Sequence, residues 1–277
     1  PEAALQPLQT WARFSPDADP AGLFVLAYTL VRLERFEDAA TRLEAVIADA
    51  RIVRPQWVEV LAYTYTQLGR TDQAISLLSG LIADAPENER WWRQLATVFL
   101  LIEDVSRGTA GITIASELKD MNFADTRRLV QLFGYLGMPA DGAQLFEQAI
   151  ASNDEPVSYE DQMLLAELWI VAREFDAAIA ALQTASLIAT DGEPQTVMGQ
   201  LYLQRERFEP ARESLTAAAA AYAEQAPPLV YYLLAVAHLN AGDPAAAEIA
   251  INEFADDPEY SARAVSLRNY IRSLASD

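Results

Sequence analysis

The chain has 277 residues, 52% of them apolar, with 11 Gly and 14 Pro, a balance that excludes a disordered or collagen-like polypeptide. Forty acidic residues against 20 Lys and Arg leave a net charge of −20, so the surface repels nucleic acid phosphates and anionic lipid heads and favours basic partners. Cysteine is absent, which removes thiol chemistry, Cys-based zinc and iron–sulfur sites and any reading of redox compartment.

The longest apolar run, residues 21–31, is far shorter than the roughly 20 residues a membrane-spanning helix needs, so no direct membrane span is expected. No charged-then-apolar leader opens the sequence, which starts at Pro1; a processed product or an excised piece is the expectation.

Taken in order, residues 1–19 read as the closing helix of a partial repeat or as an N-terminal cap. Leu5, Leu8 and Ala12 share one helical face, and Pro16 and Asp17 occupy the following turn. In residues 20–53, Leu23, Leu26, Ala27 and Leu30 are spaced i, i+3, i+4, i+7, one face of a 3.6-residue helix. Phe36 closes a turn, and Ala39, Leu43 and Val46 line a second helix. The pattern returns in residues 55–88 as Val58, Leu61, Ala62, Tyr65, Gly69, Ala74, Leu78, Leu81 and Pro86, and in residues 89–122 as Trp92, Leu95, Ala96, Phe99, Gly108, Ile112 and Ala115. A period of about 34 residues holding a helix, a turn, a helix and a late Pro is the signature of tetratricopeptide repeats, whose units bury their apolar faces only against neighbours.

The register continues through residues 123–156, 159–192, 192–225 and 228–261. Small residues at Ala39, Ala74, Gly108 and Gly142 mark the place where the two helices of a unit cross closely. Adjacent Trp91 and Trp92 cannot share one face; Trp91, and Trp57 at the equivalent place, are expected to pack between units. Residues 259–276 break the repeat and read as a capping helix, with Tyr260, Ala264, Leu267, Ile271 and Leu274 facing the core and Arg263, Arg268, Asn269 and Arg272 on the other side. The expected fold is therefore all-α: a single tetratricopeptide α-solenoid over residues 1–277, a right-handed superhelix of antiparallel helix pairs with a C-terminal cap.

Catalytic chemistry finds little support. His238 is the sole histidine, and any Ser–His–Asp or histidine-ligand site would need it; it falls instead at the fourth face position of its unit, where the other units carry Leu30, Tyr65, Phe99, Phe133, Trp169 and Tyr202. No phosphate-cradling loop, nucleophile elbow or calcium loop has its required spacing. Pairs such as Asp154 with Glu155 and Glu160 with Asp161 are the coincidences expected of so acidic a chain. The expectation is no enzyme, no cofactor and no metal.

Binding chemistry is sought on the groove that first helices line in such arrays. Positions 2, 5, 9, 12 and 13 of each first helix, unused for packing, give Arg90, Arg93, Arg127, Gln131 and Tyr135 in the third and fourth units, and Glu160 and Glu167 in the fifth. Residues 90–128 carry a net +1 and residues 154–195 a net −8. Arginines beside an aromatic ring can clamp a carboxylate or an acidic peptide by bidentate hydrogen bonds; the alternative is that they are solvated or paired with Glu103, Asp104 and Asp125. The acidic half offers a complementary surface for a basic segment.

Residues 54–99, RPQWVEVLAYTYTQLGRTDQAISLLSGLIADAPENERWWRQLATVF, resemble the periplasmic tetratricopeptide proteins that accompany TonB–ExbB–ExbD systems. So do LVQLFGYLGMPADGAQLFEQAI from Leu129 and LLAELWIVAREFDAAIAAL from Leu164, and the likeness spans residues 56–253. The resemblance implies a periplasmic scaffold whose concave groove holds a protein or peptide segment, a TonB, ExbB or ExbD component among the partners, in support of outer-membrane transport. Two alternatives stand beside it: an assembly factor of another envelope or cytoplasmic complex, and the regulatory domain of a larger enzyme.

Overall fold

The computed structural model describes residues 2–14, 19–153 and 156–274. Pro16, Asp17 and the Asp154–Glu155 pair lie outside the described residues. Those described form sixteen α-helices, one short 3-10 turn and no strand, the all-α repeat architecture expected from the 34-residue period. No described helix is long and apolar enough to cross a membrane.

Two compact units divide the chain, Pro1–Leu132 and Phe133–Asp277. The first holds α1 (Glu2–Phe14), then the antiparallel pairs α2 (Pro20–Arg32) with α3 (Phe36–Asp49), α4 (Pro55–Gln67) with α5 (Thr71–Asp84), and α6 (Glu89–Leu101) with α7 (Val105–Leu118). Helix α8 (Phe123–Tyr135) carries the division in its last turn. The second unit continues with α9 (Pro139–Ser152), α10 (Tyr159–Val171), α11 (Phe175–Ser186), α12 (Glu193–Gln204), α13 (Phe208–Tyr222), α14 (Pro228–Asn240), α15 (Pro244–Asn252) and α16 (Ser261–Leu274).

Pairs close in one repeated way. A residue with positive φ follows each first helix: Glu34, Gly69, Glu103, Gly137, Arg173, Glu206 and Gly242, at φ from 57° to 81°. The next amide reaches back five residues, as from Arg35 to the Leu30 carbonyl at 3.0 Å and from Arg70 to Tyr65 at 2.9 Å. This satisfies carbonyls that a helix end otherwise orphans. Glycine fills only three of these seven positions. The other four accept the left-handed strain of a side chain, about 1 kcal/mol each, held by the packing on either side.

The core of the first unit is the predicted apolar face. Ala27, Leu30, Leu43, Leu61, Ala62, Leu78, Leu95 and Phe99 are buried together in one cluster. Ala39 and Ala74 are wholly covered where their helices cross. In the second unit Gly199 shows why such crossings need small residues: a methyl there meets the Leu215 Cγ at 2.4 Å, and Leu215 is fully buried with nowhere to move.

Tryptophans bridge the units of the repeat. Trp57 is 4% exposed and stacks on Phe24 of the preceding pair, ring centroids 5.8 Å apart. Trp91 is buried in the same core, while Trp92 is half-buried and donates its indole N–H to the Pro86 carbonyl at 2.8 Å. Tyr65 donates to Glu44 across α3 and α4 at 2.9 Å, and burial, aided by that carboxylate, pushes its hydroxyl up to about 12.

The C-terminal cap departs from its expected layout. Ala264 is buried and Leu267 and Ile271 pack on the last core cluster, as the stripe predicts. However, Arg268 does not face water: its Nε donates to Glu248 at 2.7 Å and its Nη2 to Asn252 at 2.6 Å, both on α15. Arg263 lies over the rings of Tyr232 and Tyr260, at 5.1 and 4.7 Å. Long basic side chains curl back over apolar and aromatic surface in this way, burying their stems while keeping the charged head solvated or paired. Leu274, placed in the apolar stripe, remains 46% exposed.

Candidate protein-binding groove

Consecutive first helices present the same register positions side by side, so residues one repeat apart in sequence become neighbours in space. Applying positions 2, 5, 9, 12 and 13 to the first two pairs picks out Tyr28, Val31 and Arg32 on α2 and Gln56, Glu59, Tyr63 and Gln67 on α4. With Arg90 and Gln94 of α6, and Glu34 and Phe36 of the first turn, these residues line one open cavity of about 620 Å³.

The wall of the cavity is held by aromatic packing and by an ion pair between a buried carboxylate and an exposed guanidinium. Phe24 stacks between Tyr28 and Trp57, and Phe36 meets the Tyr63 ring edge-on at 6.4 Å. Tyr28 and Tyr63 still show nearly half their surface to solvent. Glu59 is buried, and its Oε1 accepts from Arg90 Nη2 at 2.6 Å and from Gln94 Nε2 at 3.0 Å. Three glutamine side chains, two tyrosines and an ion pair can hydrogen-bond the backbone of an extended chain, with Val31 and Phe36 beside them to seat apolar side chains.

Among the residues singled out from sequence, only Arg90 belongs to this cavity, and its guanidinium is committed to Glu59. Arg93 lies 3.9 Å from Asp125, one of the intramolecular carboxylates weighed as its alternative partner. Arg127 is half-buried and Gln131 exposed in the first unit. In the second unit Tyr135, 77% exposed, Glu160 and Glu167 stand open to solvent on α8 and α10. Asp104 is taken by the start of α7, where it accepts from the Arg107 amide at 3.0 Å and from the Arg107 side chain at 2.6 Å; these contacts hold its carboxyl below the usual carboxylate range. Asp161 forms a capping box with Ser158 at the start of α10, a structural use of that acid.

His238 is half-buried on α14, with Nδ1 4.0 Å from Asp243. Burial first, then the charge of Arg212, lowers its pKa below the usual imidazole value. It sits at the edge of the helix face, not fully within the core. Among the described residues no three acidic or histidine side chains gather as a metal site.

Stacked helix pairs around a solvent-open groove define a helical-repeat protein of the kind that binds other polypeptides. The tetratricopeptide-repeat family profile matches residues 24–89, 127–194 and 196–262, well over half the sequence, and the chain belongs to that family. No curated protein sequence matches it. Among solved structures it is similar to the Naa15/Naa10 complex bound to HypK-THB, with a TM-score of 0.75, 13% identity, 91% of this chain and 39% of that one covered. The chain thus spans about two fifths of that relative's length. It is also similar to YrrB, described as a TPR protein with an unusual peptide-binding site (TM-score 0.50, 14% identity, 69% and 97% covered). The MamA protein gives a TM-score of 0.50 at 15% identity, with 63% and 94% covered. At these identities the likeness is one of fold.

Proposed function

We propose that the protein is a non-enzymatic scaffold that holds an extended segment of a partner protein in the groove of its first unit. The observation that carries this reading is the α2–α4–α6 cavity, lined largely by these register positions of the first helices and walled by two half-exposed tyrosines. A groove already built from packed helices costs little ordering on binding, so modest contacts suffice. The peptide-binding site ascribed to YrrB is consistent with such a role. Replacing Tyr28 and Tyr63 together with alanine removes the exposed aromatic area and is expected to weaken a bound segment by at least about tenfold, measured by fluorescence anisotropy with the thermal midpoint as a control. Unchanged affinity in a folded double variant would place the partner elsewhere.

The finer reading places this scaffold in the periplasm, with a TonB, ExbB or ExbD component as partner. Its support is the sequence likeness over residues 56–253. Cells lacking the gene are expected to lose growth on a nutrient taken up by a TonB-dependent receptor, such as an iron chelate, and to recover it on complementation. Normal growth and uptake would contradict the role in TonB-dependent transport and leave the groove reading intact.

A further inference from the structure

Only two charged side chains are buried among the described residues, Glu59 and Asp161. Asp161 is accounted for by its capping box; Glu59 caps nothing. A carboxylate has about four acceptor positions, yet both hydrogen bonds to Glu59 converge on Oε1, and Oε2 accepts none from the described residues. Beside it, Gln94 spends its amide N–H on Glu59, and its own Oε1 is buried without a donor. One wall of the cavity therefore holds a carboxylate oxygen, Glu59 Oε2, that accepts from none of the described residues, beside a buried Gln94 Oε1 whose unmet hydrogen bond costs free energy.

The charge balance points the same way. Glu59 is 11% exposed at its side chain and its partner Arg90 is 67% exposed, so water screens the guanidinium far more than the carboxylate, and the wall stays negative. At the rim Arg32 and Glu34 cancel. Tyr28 and Tyr63 add ring faces, whose electron-rich surfaces attract cations. Residues 1–132 hold eighteen acidic and thirteen basic side chains, a net charge that favours approach of a basic segment.

Resting on the scaffold reading above, we infer that the segment bound in the α2–α4–α6 cavity presents a basic side chain to Glu59, on the wall that carries Tyr28 and Tyr63. Its N–H groups meet Glu59 Oε2, and its cationic head meets the tyrosine rings. Specificity then resides in one side chain, and the rest of the segment is held through its backbone.

A randomised library of peptides of about twelve residues, long enough to cross three helices when extended, is selected on the full chain. The selected peptides are expected to share Arg or Lys at one position, and changing that residue to Gln is expected to weaken binding about tenfold or more. Glu59→Gln keeps the side-chain shape and is expected to reduce the Arg-over-Gln preference to within about threefold. Should that variant fail to fold, Tyr28→Leu with Tyr63→Leu tests the ring contribution and is expected to lower the same ratio. Selected peptides with no basic position, or a preference that survives these changes in folded protein, would overturn the inference while the scaffold reading stands. If no peptide is selected, both fall.

Discussion

Replacing Trp57 with alanine is expected to destabilise the first unit by about 3–5 kcal/mol. The indole is 4% exposed, stacks on Phe24 of the preceding pair and lies 5.5 Å beneath the Arg54 guanidinium. A large aromatic carries its burial area and its ring contacts together, and here both fall between neighbouring pairs. In an array whose units are stabilised by their neighbours, losing one interface uncouples the pairs on either side of it. Hydrogen exchange during urea titration should show α2 to α5 opening first, with the amides of α14 and α15 unchanged. Trp57→Phe should recover most of the loss. A penalty below about 1 kcal/mol, the level of an ordinary surface change, would mean that Trp57 does not carry the inter-pair contact.

The second large effect is expected at the other end. Helix α15 stops at Asn252, and Phe254 just beyond it is buried in the last core cluster. It is 1% exposed and meets Tyr232 and Tyr260 edge-on, at 6.0 and 6.2 Å. Phe254→Ala is expected to cost about 3–5 kcal/mol and to release α16 first, because that helix buries only Ala264 fully and depends on the aromatic cluster for the rest of its seat. Amide exchange in α16 is the readout. Protection equal to the parent would show that Arg268, through Glu248 and Asn252, suffices to hold the cap.

Much of this fold is legible in the sequence because its stabilising contacts are local and repeated. Leu61, Ala62 and Leu78 announce their burial through spacing alone, and Ala39 and Ala74 announce the helix crossings through size. The turns are less legible: Glu34, Glu103, Arg173 and Glu206 adopt the left-handed conformation that glycine marks at only three of the seven turns, so no residue-type signal reveals them. Arg268 was expected to face water because an arginine on an amphipathic helix usually does; its partners, 20 and 16 residues away, are tertiary and leave no trace in the helix pattern.

The α2–α4–α6 cavity is less legible than the helices that line it. Excess positive charge points to Arg90, Arg93 and Arg127, and the pairing of Arg90 with buried Glu59, 31 residues away, is a tertiary contact that leaves no trace in the helix pattern. The positional rule is the same along the chain. Carried back to the first two pairs it names Tyr28, Glu59 and Tyr63, and the signal is a recurrence of tyrosine at the ninth position, with half-open rings that core packing does not require.

The footprint of a bound segment tests this account most directly. With a selected peptide at saturation, methyl and amide NMR shifts should concentrate at Tyr28, Val31, Tyr63 and Gln94, on the first helices of the first unit. Shifts confined to the second helices α3, α5 and α7, or to the second unit, would contradict the placement of the binding groove.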